Sequence, residues 1–505
     1  LEQAAHVFET QIYTPTRQTF GSEWTPGVDN DPHIHILYAT GLGKNTLGYT
    51  SSDNEFPHTQ QPYSNEAEMI TVHMDAVEIG SPRYFALLAA QFQRLIQWAG
   101  DRNEEQWIKD GLSALAIRQA GFDPYTLLPP ENIGGERVDS VPPLTTDLIS
   151  AYQFLTYFHH HFDDQGVQAL VIHPLNGRSG FEAVLAGLRS DLTFDDLFAD
   201  WLVSRYREIG SASAFRPPSN EYPMVIQASV SQWGADWVSL PASRDLHVRF
   251  SGAITAPLPG IPAHSGQYAW WSGRADNSRV TLTRWFDLTT ISTTRPITLT
   301  YWTWYALEAG YDYATVEVSS DDGETWNILP TILGSDEDPY GNNPGWGYTG
   351  YSHPQSGWVS DTVDLSAYGG KRIGVRFAYW TDSAHTEAGW LLDDIALPAI
   401  GYNNDVEGGT DGWEAAGFVR SDGSIPQHYL VLRVLPTVEG EPGDESLDVE
   451  RMAIGEGNQA EWDIPVSIQN EGRQEVVLLI AAIVATTAPL TGQPAPYRLE
   501  LDVAR

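Results

Sequence analysis

Histidines and carboxylates are the side chains of this sequence that could hold a metal ion or move a proton. The chain has 14 histidines and 66 acidic residues but no cysteine, which excludes thiolate metal sites, disulfides and cysteine nucleophiles. His33 and His35 lie two apart on a predicted strand, so they point to the same side of it. A metal-binding pair is one interpretation, and a solvated or packed face is the other. The single histidines His58 and His73 are expected to be ordinary polar residues.

Three consecutive histidines, His159, His160 and His161, end a predicted helix. Successive side chains on a helix point in different directions, so these three cannot chelate one metal ion together. Positive charge at the C-terminal end of a helix is favourable, and this is the role we expect for them. No predicted helix carries two histidines four residues apart, the spacing that would place both on one zinc-binding face.

The clearest elements for positioning a site lie between residues 81 and 121. A first helix is predicted from Ser81, a suitable N-cap followed by proline, to Gly100. Asn103 can cap a second helix, which ends before Gly121. Apolar residues recur at helical spacing in both, so each helix has one apolar face to bury. The pair predicts a helical hairpin.

The hairpin carries a recognisable pattern, in which residues 88–98 read LAAQFQRLIQW and residues 103–113 read NEEQWIKDGLS. It resembles the active-site segment of secreted bacterial zinc metallopeptidases of the immune inhibitor A and hyicolysin-like type. In that family the first helix carries HExxH, whose two histidines bind zinc while the glutamate acts as general base on the zinc-bound water. An acid from the second helix completes the metal site. The resemblance continues through residues 167–206.

This chain keeps the helices of that family and loses their chemistry. The motif is replaced by Ala90-Gln91-Phe92-Gln93-Arg94, with Ala90 at the first histidine, Gln91 at the general base and Arg94 at the second histidine. Alanine has no ligand atom, glutamine cannot take up a proton near neutral pH, and arginine is a permanent cation that repels zinc. Only Asp110 keeps a carboxylate at the fourth position. The resemblance therefore implies a pseudoenzyme without zinc, in which Arg94 could reach Asp110 and fill the vacated position as an ion pair.

A second resemblance covers residues 263–398, where the motifs SGQYAWWSG (265–273), SSDDGETW (319–326) and LLDDI (391–395) follow one another. This segment is similar to the MAM-like β jelly roll that follows the catalytic domain in immune inhibitor A peptidases. Such jelly rolls often hold a structural calcium ion, which prefers carboxylate oxygens. The ligands that the resemblance implies here are Asp276, Glu308, Asp312, Asp393 and Asp394. The alternative is that acids such as Asp312 and Asp322 are ordinary turn residues.

Alternating aromatic residues mark one strand of this jelly roll. Trp302 and Trp304 point to the same face of the strand. They could form a sugar-binding platform, but packing in the core of a sandwich is the interpretation we favour.

The whole pattern predicts a multidomain α+β protein: a mainly α metallopeptidase-like domain, an all-β jelly roll and a small C-terminal β-sandwich. Residues 1–209 form the first domain and residues 210–223 a linker. The remaining predicted units are a β segment at 224–262 that could pair with the C-terminal domain, the jelly roll at 263–400, and the C-terminal β-sandwich at 401–505.

Composition limits the function. The 28 basic and 66 acidic residues give a net charge of −38, which argues against nucleic acid and anionic membranes as partners and suits calcium or cationic partners. The longest apolar run, at 476–485, is about half the length of a membrane-spanning helix. Leu1 is not an initiator residue, so we expect a signal peptide or propeptide upstream and a secreted or cell-surface protein.

The function we expect is that of a catalytically inactive, metallopeptidase-like extracellular protein with a binding or assembly role. Its partner would be an extracellular protein, a glycan or further copies of itself, and no zinc is expected. One alternative is a cell-surface adhesin that binds carbohydrate or protein through the jelly roll. Another is a zinc metallopeptidase with non-standard ligands, and a third is a structural subunit of an extracellular layer.

Overall fold

The structure is a computed structural model of the 505-residue chain. It describes residues 1–43, 46–58, 64–102, 104–127, 140–209, 221–242, 244–257, 262–274, 278–291, 295–352, 357–382, 387–437, 446–465, 474–484 and 494–504. The predicted helix cap Asn103, the predicted calcium ligand Asp276 and residues 210–220 of the predicted linker lie outside the described residues.

The N-terminal domain is mainly helical, as predicted. Its helices are, in chain order, α1 (Glu2–Val7), α2 (Thr14–Phe20), α3 (Pro82–Gly100), α4 (Gln106–Gln119), α5 (Leu148–Val171), α6 (Gly177–Gly187) and α7 (Phe194–Ile209). A π-helical turn, Phe8–Tyr13, joins α1 to α2. A small sheet of strands β1 (His35–Ala39), β2 (Gly48–Tyr49) and β3 (Met69–His73) packs beside the helices, with β3 in the middle and β2 at one edge.

The predicted helical hairpin is formed by α3 and α4. The side chain of Ser81 accepts a hydrogen bond from the backbone N–H of Tyr84 at 3.1 Å, which confirms the predicted N-cap. Gly111 lets α4 approach α5 closely, because a Cβ atom at this position would lie 2.9 Å from the carbonyl oxygen of Ala151. The hairpin is therefore packed against α5, whose backbone is non-helical at Asp163, two residues after His161.

The remaining strands follow in chain order. They are β4 (Ser140–Val141), β5 (Met224–Val230), β6 (Ala235–Ala242), β7 (Leu246–Gly252), β8 (Thr255–Pro257), β9 (Ala269–Trp271), β10 (Arg279–Asp287), β11 (Thr298–Ala306), β12 (Tyr313–Ser319), β13 (Asn327–Ile328), β14 (Gly347–Tyr348), β15 (Val359–Asp364), β16 (Arg372–Trp380), β17 (Gly389–Leu397), β18 (Tyr402–Asn404), β19 (Glu414–Ala416), β20 (Val419–Ser421), β21 (Ser424–Thr437), β22 (Ser446–Arg451), β23 (Gln459–Ile464), β24 (Gln474–Val484) and β25 (Ala495–Val503).

Two six-stranded sheets form the jelly roll. One has the order β13-β12-β16-β10-β19 with β14 on β12, and the other has the order β15-β11-β17-β9-β20 with β18 on β17. Because β18, β19 and β20 complete these sheets, the jelly roll extends to Ser421 and not only to the predicted boundary at residue 400. The C-terminal domain accordingly begins with β21.

Strands from both sides of the jelly roll build the last sandwich. β6 pairs with β24, and β25 pairs with both β5 and β7. The jelly roll is thus inserted between two parts of one β-domain. The short β4 of the helical domain pairs with β6, which joins the helical domain to this sandwich.

The aromatic residues of β11 are used for packing. Trp304 is buried, and one face of Trp302 is covered by the imidazole of His264, with ring centroids 3.7 Å apart. Their surroundings match core packing more closely than a sugar-binding platform. The architecture is multidomain α+β, and the predicted fold class is confirmed.

None of the described helices has the length and apolar character needed to span a bilayer.

Candidate functional site

The four positions that the sequence analysis compared with a zinc site, Ala90, Gln91, Arg94 and Asp110, lie on α3 and α4. Ala90 is buried in the core of the helical domain and offers no polar atom. The amide oxygen of Gln91 accepts a hydrogen bond from the hydroxyl of Thr50 at 3.2 Å. Gln91 is therefore engaged with the segment that follows β2, and neither residue supplies a metal ligand or a base.

Arg94 and Asp110 form the ion pair that the sequence suggested. The Nη2 atom of Arg94 donates to Oδ1 of Asp110, and its Nε atom donates to the hydroxyl of Ser113 at 2.9 Å. The two charged side chains are 25% and 35% exposed, so the pair lies at the boundary between the core and solvent. The predicted contact between Arg94 and Asp110 is confirmed.

Three polar residues that the sequence analysis did not predict hold this pair in place. Ser113 donates its hydroxyl proton to the buried amide oxygen of Gln93 at 2.8 Å, and Gln106 donates to Oδ1 of Asp110 at 3.0 Å. The spacing on the helices carried the signal, because Ser113 and Gln106 lie three and four residues from Asp110 on α4 and so share its face. The result is a hydrogen-bonded network around Arg94 and Asp110, between α3 and α4.

Five histidines of the helical domain lie close to a carboxylate. They are His33 beside Asp31, His35 beside Asp29 at 3.7 Å, His58 beside Glu66 at 3.8 Å, His73 beside Asp75 at 3.3 Å and His159 beside Asp164 at 3.0 Å. His161 instead contacts the carbonyl oxygen of Tyr157 at 2.9 Å. Burial and the neighbouring cation Arg118 lower the pKa of His160.

A cleft of about 650 Å³ lies beside the ion pair, between the helical domain and the jelly roll. Its helical wall includes Arg94 and Trp98 of α3, and its jelly-roll wall includes Tyr311, Tyr340 and Trp380. Arg94 therefore borders a cleft whose walls come from two domains.

A pair of buried carboxyl groups lies at the helical wall of this cleft. Glu55 lines the cleft and contacts Glu68, and both residues are buried. Burial, together with the hydrogen bond to Glu68, raises the pKa of Glu55 to about 9. The pair therefore retains a proton at neutral pH, which explains how two acids are accommodated in one buried position.

Acidic residues of the jelly roll come together at the opposite wall. Carboxylate oxygens of Glu308, Asp312 and Asp382 lie within 4.8 Å of one another. Asp312 accepts the hydroxyl proton of Tyr379 at 3.1 Å and the backbone N–H of Asp382 at 3.0 Å. Burial raises the pKa of Asp312 to about 7. Such a group of hard oxygens could hold a calcium ion.

The other predicted calcium ligands lie elsewhere. Asp393 accepts the backbone N–H of Ser265 at 3.1 Å, while Asp394 accepts the Ser265 hydroxyl at 2.8 Å and lies 2.6 Å from Nδ1 of His264. Burial raises the pKa of Asp393 to about 6. The predicted ligand set is thus divided: the acidic group within the described residues joins Glu308 and Asp312 to Asp382, which the sequence analysis missed.

Comparison with known proteins supports the same division of the chain. Residues 255–423, which span β8 to β20, match the family model described as "Immune inhibitor A-like, MAM domain". The chain contains an immune inhibitor A-like MAM domain. This match confirms the resemblance of the jelly roll and sets its limits close to the observed sheets.

The curated relatives are metalloproteases. Two proteins named "Pre-pro-metalloprotease PrtV", from Vibrio cholerae serotype O1 strains M66-2 and ATCC 39315 / El Tor Inaba N16961, are each 28% identical to this chain over 196 residues. The match covers 36% of this chain and 19% of each relative, so the chain spans about a fifth of their length. The chain is thus metallopeptidase-related and carries a MAM domain.

Proposed function

We propose that this protein is a non-catalytic relative of secreted metallopeptidases that binds a ligand in the cleft between its helical domain and its MAM domain. The single observation that carries this proposal is the pairing of Arg94 with Asp110 beside an open cleft. The ion pair stands where zinc would be held, while the space for a ligand remains.

The chemistry of the four positions supports the absence of hydrolysis. A zinc peptidase needs imidazole ligands for the metal and a carboxylate that takes a proton from the bound water. Ala90, Gln91 and Arg94 supply neither, and Oδ1 of Asp110 accepts hydrogen bonds from two side chains. To bind here, a zinc ion would have to displace the permanently charged guanidinium of Arg94 from Asp110, which is the only carboxylate among the four positions.

Metal content and peptidase activity of the purified full chain test this proposal together. After chelation and reloading with zinc, we expect no tightly bound zinc and no cleavage of an unfolded protein substrate such as casein. One zinc ion per chain, with cleavage that is lost when His58, His73 or residues 159–161 are changed, would contradict it. That result would favour a peptidase with non-standard ligands.

We also propose a structural calcium ion in the MAM domain, held by Glu308, Asp312 and Asp382. The proximity of the three carboxylates supports it, because bringing them together costs free energy unless protons or a cation neutralise them. Calcium should raise the midpoint of thermal unfolding, and Asp382→Asn should abolish that shift. Tyr351→Ala serves as an exposed control on the same domain, and an equal calcium effect in Asp382→Asn would place the ion elsewhere.

The relatives and the composition support an extracellular location for this binding function. The net charge of −38 keeps a secreted protein soluble, and it repels anionic surfaces. Export of the natural precursor from its own cells, followed by detection in the medium or at the cell surface, tests this location. Retention inside the cell would contradict it.

A further inference from the structure

We propose that the cleft between the helical domain and the MAM domain binds a neutral oligosaccharide. This inference rests on the proposed function, since it assigns a ligand class to the same cleft. The volume of about 650 Å³ lies within the range of small-ligand sites. The chemistry of both walls decides the class of ligand.

Indole rings lie on both walls, and each contacts an arginine. The guanidinium of Arg102 lies 4.1 Å from the ring centroid of Trp98 on the helical wall. The guanidinium of Arg279 lies 4.1 Å from the ring centroid of Trp380 on the MAM wall. Each stacked cation fixes the orientation of its ring before any ligand arrives. Fixed aromatic faces suit the apolar C–H faces of sugar rings.

Two tyrosines extend the aromatic surface of the MAM wall. Tyr311 and Tyr340 are stacked, with ring centroids 4.3 Å apart and planes inclined by 10°. Tyr340 is 51% exposed, so one of its faces is available to a ligand. Asn342 also lines the cleft, and its side-chain amide donates a hydrogen bond to the backbone carbonyl of Tyr311 at 3.3 Å. This bond links Asn342 to the segment that carries Tyr311.

The polar groups of the cleft suit hydroxyl groups better than a strongly charged ligand. Thr50, Ser51 and Ser52 contribute hydroxyls, and Asn342 contributes an amide. A sugar hydroxyl both donates and accepts, so it can bind any of these groups. The charged residues that line the cleft nearly balance, with four acids and three bases: Asp53, Glu55, Asp101, Asp382, Arg94, Arg102 and Lys109. A polyanion would meet acidic residues on both walls, and a polycation would meet the three basic residues of the helical wall.

An extended polypeptide fits the cleft less well. A peptide that binds by strand addition needs a sheet edge that offers several main-chain hydrogen bonds. The edge strand at this cleft, β2, is only two residues long. A bound peptide would therefore gain few main-chain contacts here. This favours a sugar over a peptide.

Calorimetric titration of the full chain with cellohexaose, chitohexaose and mannohexaose tests the inference, with a heparin hexasaccharide as the charged comparison. At least one neutral hexasaccharide should bind. Tyr340→Ala should weaken that binding about tenfold, because truncating an aromatic anchor costs more than about 1 kcal/mol. The matched control is Tyr351→Ala, which removes a 59% exposed tyrosine of the same domain that does not line the cleft.

The outcomes separate the ligand class from the proposed function. Absence of binding to all three neutral sugars, or equal binding by Tyr340→Ala, overturns the sugar proposal. Binding of unfolded, carboxymethylated lactalbumin without any sugar binding also overturns it, but leaves a non-catalytic binding protein in place. Bound zinc with cleavage of that polypeptide would overturn the proposed function itself. Because Tyr340 is exposed, its loss should leave the circular dichroism spectrum unchanged.

Discussion

Two pairs of arginine and carboxylate, one on the helices and one on the MAM domain, use the same chemistry in different surroundings. Arg94 and Asp110 are 25% and 35% exposed. Arg376 and Glu317, on the paired strands β16 and β12, are only 14% and 3% exposed. The helical pair lies beside the cleft between the two domains. The sheet pair is part of the packing of the fold.

Aromatic rings account for the burial of the sheet pair. The guanidinium of Arg376 lies 3.8 Å from the ring centroid of Trp326, and Arg279, on β10, lies 3.5 Å from the carboxylate of Glu317. Thr315 donates to the second carboxylate oxygen of Glu317 at 3.2 Å. One carboxylate thus contacts two guanidinium groups, and each of these lies against an indole ring: Arg376 against Trp326 and Arg279 against Trp380. Buried charges are costly without such partners, so the two pairs should respond very differently to mutation.

The largest effect is expected for Glu317→Ala. It leaves the guanidinium groups of Arg376 and Arg279 without their shared carboxylate, and removing one partner of a buried pair costs about 3–5 kcal/mol. Urea unfolding, followed by hydrogen exchange of the amides in β16, measures the loss in the MAM domain. Glu317→Gln, which keeps the shape and one acceptor oxygen, should lose less. An equal loss in both variants would show that the charge of Glu317 matters more than its packing.

The next largest loss of stability is expected at Gly374, which lies under the indole rings of Trp326 and Trp285. A Cβ atom at Gly374 would lie 2.9 Å from the ring of Trp326 and 3.0 Å from the ring of Trp285. Gly374→Ala should therefore overpack this face and cost about 1–3 kcal/mol. Gly357→Ala is the matched control in the same domain, since a Cβ atom there would meet nothing within 4 Å. Similar stability of the two variants would mean that the rings move aside freely.

Much of the fold could be predicted from local pattern. The helix from Pro82 to Gly100 was expected, with its cap Ser81, because the cap, the proline and the apolar period agree. The end of the MAM domain was placed too early, because β18, β19 and β20 are each three residues long and show little alternation. Such strands are recognised only by their pairing.

Contacts between site residues could be predicted within the α3–α4 hairpin. Contacts between strands that are distant in the sequence could not. Arg94 and Asp110 are brought together by two successive helices. Asp382 joins Asp312 because β12 pairs with β16, and the two acids are 70 positions apart in a sequence that carries no signal of that register. Buried acids were missed for a related reason, because Glu55 and Glu68 look like ordinary surface residues in the sequence.

A buried carboxyl group of the helical domain, that of Glu104, should make the stability of this domain depend on pH. Glu104 accepts the backbone N–H groups of Glu105 at 2.6 Å and Gly177 at 2.9 Å, and burial raises its pKa to about 8. Because the folded state binds this proton more tightly, its contribution to stability is complete below pH 4.5 and is lost as the pH rises to about 8. Glu104→Gln should remove that loss, as measured by urea unfolding at pH 5 and pH 8.5. Glu2→Gln, at an exposed position of α1, controls for the removal of one carboxylate; the same pH response in both would contradict the assignment.

The smallest effect is expected at the helical pair. Ion pairs that are this exposed contribute about 0–1 kcal/mol, so Arg94→Met and Asp110→Asn should each change the free energy of unfolding by no more than about 1 kcal/mol. A double-mutant cycle isolates the coupling between the two side chains. A coupling well above 1 kcal/mol would mean that the pair stabilises the fold as the sheet pair does. A small coupling would mean that the pair contributes little to stability. The position of Arg94 beside the cleft would then be better explained by ligand binding than by stability.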